Sequence, residues 1–162
     1  MTRLMVSLLT ASLLITASAL HAADMAGDTR SMEVLADDLK FQNGVGLFKL
    51  RMYDKALETF NEYLEIYYNG THRHEAYRNI AEIYFNRMEY LKAIEHYRAL
   101  YEEFSNTESG IEAYYNIGIC NIKMGYDQRA AEIFTEIIER HHDSAYRMQA
   151  ELQLDVLKIL HE

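Results

Sequence analysis

Proline is missing from all 162 residues, where average usage of about 5% would place roughly eight. Long irregular loops and polyproline linkers are thereby excluded, and an all-helical chain is favoured. Tryptophan is also absent, and Cys120 is the only cysteine. A disulfide scaffold therefore has no intramolecular partner to build with. Positive charge is scarce too: 16 Lys and Arg face 25 Asp and Glu, a net charge of −9. Such a chain repels phosphate backbones, which argues against a nucleic-acid partner. What remains is 49% hydrophobic, too apolar for intrinsic disorder. The length suits one domain that buries roughly two thirds of its unfolded surface.

The first 22 residues, MTRLMVSLLTASLLITASALHA, carry Arg3 as their one charge, then an apolar run from Leu4 to Ile15 and a small-residue end. Ala17-Ser18-Ala19 is an A-x-A pattern, and Ala22 offers a second cleavage site. This is the design of a secretory signal peptide, slightly short for a membrane span. No cysteine follows the run, so lipidation there is excluded. Cleavage after Ala22 leaves 140 residues and a net charge of −10. The expected product is exported to the periplasm, soluble and without an integral membrane span, with 23–30 as a flexible linker. In that oxidising compartment Cys120, set in IGICNIKMG, reads as a packed and inert core thiol.

The rest of the chain repeats with one period. Gly44, Ala81 and Gly118 are 37 apart, as are Ala56, Ala93 and Ala130, and Phe60, Tyr97 and Phe134. Glu75-Ala76-Tyr77 returns as Glu112-Ala113-Tyr114. Within a unit, Tyr77, Ile80, Ala81 and Tyr84 keep the spacing of one helix face, followed by Ala93, Ile94, Tyr97 and Leu100 on a second. Turn-forming segments, Asn69-Gly70-Thr71, Ser105-Asn106-Thr107 and His142-Asp143-Ser144, follow each second helix. Ser109-Gly110-Ile111-Glu112 has the pattern of a capping box that would open a helix. Ser31 to Arg51 is expected as a long first helix. Ser144-Ala145-Tyr146 echoes the Glu-Ala-Tyr start, with Ala150 at the small position and a helical pattern through Leu152, Val156, Leu157, Ile159 and Leu160.

These units resemble the tetratricopeptide repeat (TPR) family: Tyr77, Ile80, Ala81, Tyr84, Tyr90, Ala93 and Tyr97 match its pattern, as do Tyr114, Ile117, Gly118, Gly125, Ala130 and Phe134. Asn121 stands where the tyrosine usually is, Lys40 and Asn43 replace an aromatic and an apolar residue, and the closing proline is absent throughout. The resemblance implies an all-α, right-handed α-solenoid of three TPR helical hairpins plus a C-terminal capping helix. Its domain would span 31–162, with repeats at about 37–70, 74–107 and 111–144 and the cap at 144–161. The 37-residue spacing and the loop-plus-helix segments YYNGTHRHEAYRNIA and FSNTESGIEAYYNIG are similar to bacterial envelope proteins of the CpoB/YbgF (Tol-Pal-associated) and BamD types. The chain departs from the BamD type in lacking a lipidation cysteine. It departs from the CpoB type in leaving little room for a coiled coil before Ser31.

The resemblance also implies a concave groove lined by the first helices. Matching positions are Phe41, Val45, Phe48 and Lys49; Arg78, Glu82, Phe85 and Asn86; and Tyr115, Ile119, Ile122 and Lys123. The chaperone-binding members clamp a carboxylate with lysines and asparagines where this chain has Phe41, Val45, Tyr115 and Ile119; that mode is not supported. The expected role is an exported adaptor or scaffold binding a protein or peptide partner from the cell envelope, in assembly or division. The alternative is an accessory protein whose groove closes over a lipid or peptidoglycan fragment. Exposure of Phe48 and Phe85 would distinguish the two.

Neither catalysis, cofactor nor metal is expected. His72-Arg73-His74-Glu75 and His141-His142-Asp143 lack the i, i+4 histidine pair of a helical zinc site. Glu62, Glu65, Glu102, Glu103, Glu136 and Glu139 read as a solvated outer face rather than as paired catalytic carboxylates.

Overall fold

A side chain every three or four residues that prefers oil to water forces a helix to find a neighbour, and here each helix finds two. The computed structural model describes residues 31–160. The signal peptide expected at 1–22 and the linker at 23–30 lie outside the described residues. Among the described residues there are seven helices and no strand. They are α1 over 31–49, α2 Tyr53–Ile66, α3 Arg73–Asn86, α4 Tyr90–Phe104, α5 Glu108–Lys123, α6 Asp127–Arg140 and α7 Tyr146–Leu160. Each packs chiefly on its chain neighbours, giving an all-α solenoid of helical hairpins as the repeat period implied.

The core follows that period position by position. Ala56, Ala93 and Ala130 are fully buried, as are Phe60 and Phe134; Tyr97, at the matching place, is nearly so. Tyr63, Leu100 and Ile137 complete the inner face of the second helices, all fully buried. Gly118 lets α5 approach α6: a Cβ there would stand 2.6 Å from the Phe134 ring, far inside the 3.5–4.0 Å at which carbon atoms attract. Gly44 meets Phe60 in the same way.

The turn inside each hairpin is also periodic. Arg51, Met88 and Gly125 have φ of 58°, 62° and 78°. Around each, two backbone bonds close the helix end: Arg51 to Phe48 and Met52 to Leu47, Met88 to Phe85 and Glu89 to Tyr84, Gly125 to Ile122 and Tyr126 to Asn121. This is the Schellman motif, in which glycine is favoured because it has no Cβ to strain. Only the third unit uses glycine.

Two local expectations are corrected. The capping box at Ser109 does not open α5. Thr107 does so, its hydroxyl accepting from the Gly110 amide at 3.2 Å, while Ser109 and Glu112 are drawn off by Arg78. The echo at Ser144-Ala145-Tyr146 is also out of register. Ser144 takes the capping place of Thr107, accepting from the Tyr146 amide at 3.1 Å. The period of 37 thus runs on into α7, where Ala150 and Leu157 are buried in the places of Ala113 and Cys120. The helix covers α6 as a cap does, but Leu152, Val156, Ile159 and Leu160 on its other side stay exposed.

Candidate functional site

The expected groove positions occupy one face of each first helix, and one contact recurs where these helices meet. The Phe41 ring stacks on His72 at 4.4 Å and 6°. One unit later, Arg78 Nη2 donates to Ser109 Oγ at 3.2 Å. One unit later again, Tyr115 meets Tyr146 at 5.5 Å. Each pair is 31 residues apart, and this relation was not visible in the sequence because its members share no chemistry.

The contact decides what is exposed. Phe41, expected on the groove floor, is only 5% exposed; it is held by His72, Phe60 and Tyr63 and belongs to the core. Val45, Phe48, Phe85, Tyr115, Ile119 and Ile122 are half-buried. Phe48 leans on Tyr53 and Phe85 on Tyr90, so these rings are neither free anchors nor sealed away. Lys49, Asn86 and Lys123 are exposed. The open part of the face lies where sequence reasoning did not place it. Leu152, Val156, Ile159 and Leu160 continue the four rows by the same 37-residue step and are 63%, 43%, 71% and 69% exposed. No further first helix follows to cover them among the described residues. A cavity of about 720 Å³ between α6 and α7, floored by Ala131, Leu154 and Leu157, is lined by none of these residues.

The middle of the face is polar. Arg78 Nη2 pairs with Glu112 at 2.8 Å, and its Nε is buried without a partner. The half-buried Glu82, one turn on, makes no hydrogen bond or ion pair among the described residues. Burial holds its carboxyl above the ordinary range; Arg78 pulls down and Glu112 pushes up. Tyr146, lying against Glu112, is pushed up to about 12, by burial first and by that carboxylate second.

The first histidine cluster is structural. His72, expected as an ordinary loop residue, faces Glu75 with Nδ1 and Asp38 with Nε2, both at 2.7 Å. Beside it Asp37, only 6% exposed, accepts from the amide and hydroxyl of Thr71 at 2.9 and 2.8 Å. These bonds, with the ion pair between Lys40 and Glu62, fasten α1 to α2 and to the start of α3. No group of His, Cys, Asp and Glu among the described residues could hold a metal ion. The glutamates are not uniformly solvated either. Glu103 takes two bonds from Arg73, at 2.6 and 2.9 Å, and Glu136 accepts from Tyr114 and Arg140; Glu65, Glu102 and Glu139 are exposed as expected. Cys120 is fully buried, and burial pushes its thiol up to about 12, which makes it an inert core thiol. No described helix is long and apolar enough to cross a membrane.

A tetratricopeptide repeat model matches residues 112–144, which is most of α5, all of α6 and the turn after them. No curated protein matches the chain. Among solved structures it is similar to the TPR domain of Sgt2 from Aspergillus fumigatus. The two are 18% identical over 75% of this chain and 76% of that one, with a TM-score of 0.56. At that identity the likeness speaks for fold. Residues 112–144 thus match a tetratricopeptide repeat, and the chain shares the fold of TPR domains.

Proposed function

We propose that this chain is a non-catalytic adaptor that binds a segment of a protein partner along the apolar face of α1, α3, α5 and α7. The observation that carries the reading is the exposed row of Leu152, Val156, Ile159 and Leu160, in register with Tyr115, Ile119 and Ile122. Exposed apolar side chains in register on neighbouring helices, as on α5 and α7, are a docking surface for an amphipathic helix or an extended segment. The protein is exported through the signal at 1–22 and works in the periplasm, soluble and unlipidated. Its partner there is another cell-envelope component, in the manner of the CpoB/YbgF or BamD type, in assembly or division.

Because Phe48 and Phe85 also pack inward, acidic substitutions there would disturb the fold. Leu152→Glu with Ile159→Glu tests the face cleanly. Partner recovered from the envelope fraction by the wild-type chain is lost with this variant, whose helical circular dichroism stays the same. Unchanged recovery overturns the reading. Export has its own test: the periplasmic chain begins after Ala19 or Ala22 by N-terminal sequencing, and a mature chain that retains Met1 overturns it.

A further inference from the structure

One residue breaks the apolar pattern of this face. The row Val45, Glu82, Ile119 and Val156 is aliphatic except at its second member. Glu82 sits half-buried with Phe85 one turn along α3 and the nearly buried Tyr97 hydroxyl close enough to feel its charge. Arg78, the cation that acts on it among the described residues, is committed to Glu112 and Ser109. Two carboxylates thus share one guanidinium, and the local charge is one negative too many. A carboxylate withdrawn from water is destabilising, and the pull of Arg78 offsets this only in part, since burial and Glu112 still leave the carboxyl raised.

The unpaired carboxylate fits one kind of visitor. We infer that Glu82 selects, for the face proposed above as a docking surface, a partner segment that inserts a single lysine or arginine among apolar contacts. The cation pairs with the Glu82 carboxylate. Desolvated charge pairs at interfaces discriminate strongly between partners. The net charge of −9 draws basic segments toward the protein at long range. Lys49 and Lys123, exposed one row away and without an ion pair among the described residues, repel a uniformly basic segment. One cation in an apolar setting is what the arrangement admits.

The inference rests on the docking reading, and the experiment separates their failures. A phage-displayed library of random peptides is selected against the full chain, against Glu82→Gln, and against Leu152→Glu with Ile159→Glu. Wild-type selections enrich one lysine or arginine at a fixed place among apolar residues. The Glu82→Gln selections lose that basic residue while apolar residues remain enriched. A synthetic peptide of the wild-type consensus binds about tenfold more weakly when its basic residue is replaced by methionine, and this ratio collapses toward one on Glu82→Gln. The same basic residue enriched on both proteins, or none enriched on wild type, overturns the role of Glu82. Identical peptides recovered by the Leu152→Glu, Ile159→Glu protein, or no enrichment on wild type, overturns the docking reading and this inference with it.

Discussion

Two glycines in this array differ only in what stands opposite them, and replacing each by alanine isolates the packing between paired helices. Gly118 and Gly46 are both in helices, so each substitution gains about 1 kcal/mol of helix propensity. At Gly46 a Cβ would meet nothing within 4 Å, and the gain should appear in full. At Gly118 the new atom would lie 2.6, 2.7 and 3.3 Å from three carbons of Phe134. That ring must withdraw by about 1 Å to restore ordinary contact. It is fully buried and meets Tyr115 at 5.4 Å, so it has little room to withdraw. Overpacking of this kind costs about 1–3 kcal/mol. Propensity is common to both variants, so Gly118→Ala should be less stable than Gly46→Ala by about 1–3 kcal/mol. Urea unfolding followed by circular dichroism, with an unchanged slope, measures that difference as a shift of midpoint. Adding Phe134→Leu to Gly118→Ala should recover part of the loss. If Gly118→Ala stabilises the chain as much as Gly46→Ala does, the close approach of α5 and α6 is not what holds that glycine in place.

Met88 holds φ of 62° against its Cβ, so Met88→Gly should raise stability by about 1 kcal/mol, read in the same urea titration; a loss of stability would contradict the strain. Arg73 is 7% exposed and bonds Glu103, Tyr77 and the carbonyls of Leu64 and Tyr67. Glu103→Gln removes its charge partner and, because Glu103 is itself exposed, should cost about 1–3 kcal/mol, whereas Glu102→Gln, exposed and unpaired among the described residues, should be silent. The pH dependence has a direction. Burial lowers the His72 pKa, but its bonds to Asp38 and Glu75 outweigh this and hold it above 6.5. The folded chain therefore binds that proton more tightly than the unfolded one. The His72 contribution is complete below about pH 6.5 and is lost as pH rises through the higher folded value. His96 works the other way, because burial lowers its pKa. The comparison of wild type with His72→Gln is therefore the informative one: the protection of α1 amides against exchange, relative to their intrinsic rates, should fall as pH rises above about 6.5 in wild type and show no such step in the variant.

Much of this molecule follows from one-dimensional information. A period of 37 in small and aromatic residues implies repeated helical hairpins, because a small residue facing a ring every turn or two lets two helices pack closely. The buried sets Ala56, Ala93, Ala130 and Phe60, Tyr97, Phe134 obey it without exception. The burial of Cys120 and the exposure of Lys49, Asn86 and Lys123 were equally legible, since each depends on local helix phase. What the period did not contain is which first-helix side chains a neighbouring helix covers. That depends on contacts between residues 31 apart that share no residue type: a ring on an imidazole, a guanidinium on a hydroxyl, a ring on a ring. Such a contact removed Phe41 from the candidate surface. The end of the stack among the described residues left the last row on α7 open, and moving Arg78 onto Glu112 left Glu82 alone. Pattern along the chain decides which face of a helix is apolar. Only the helices packed against that face decide how much of it water still reaches.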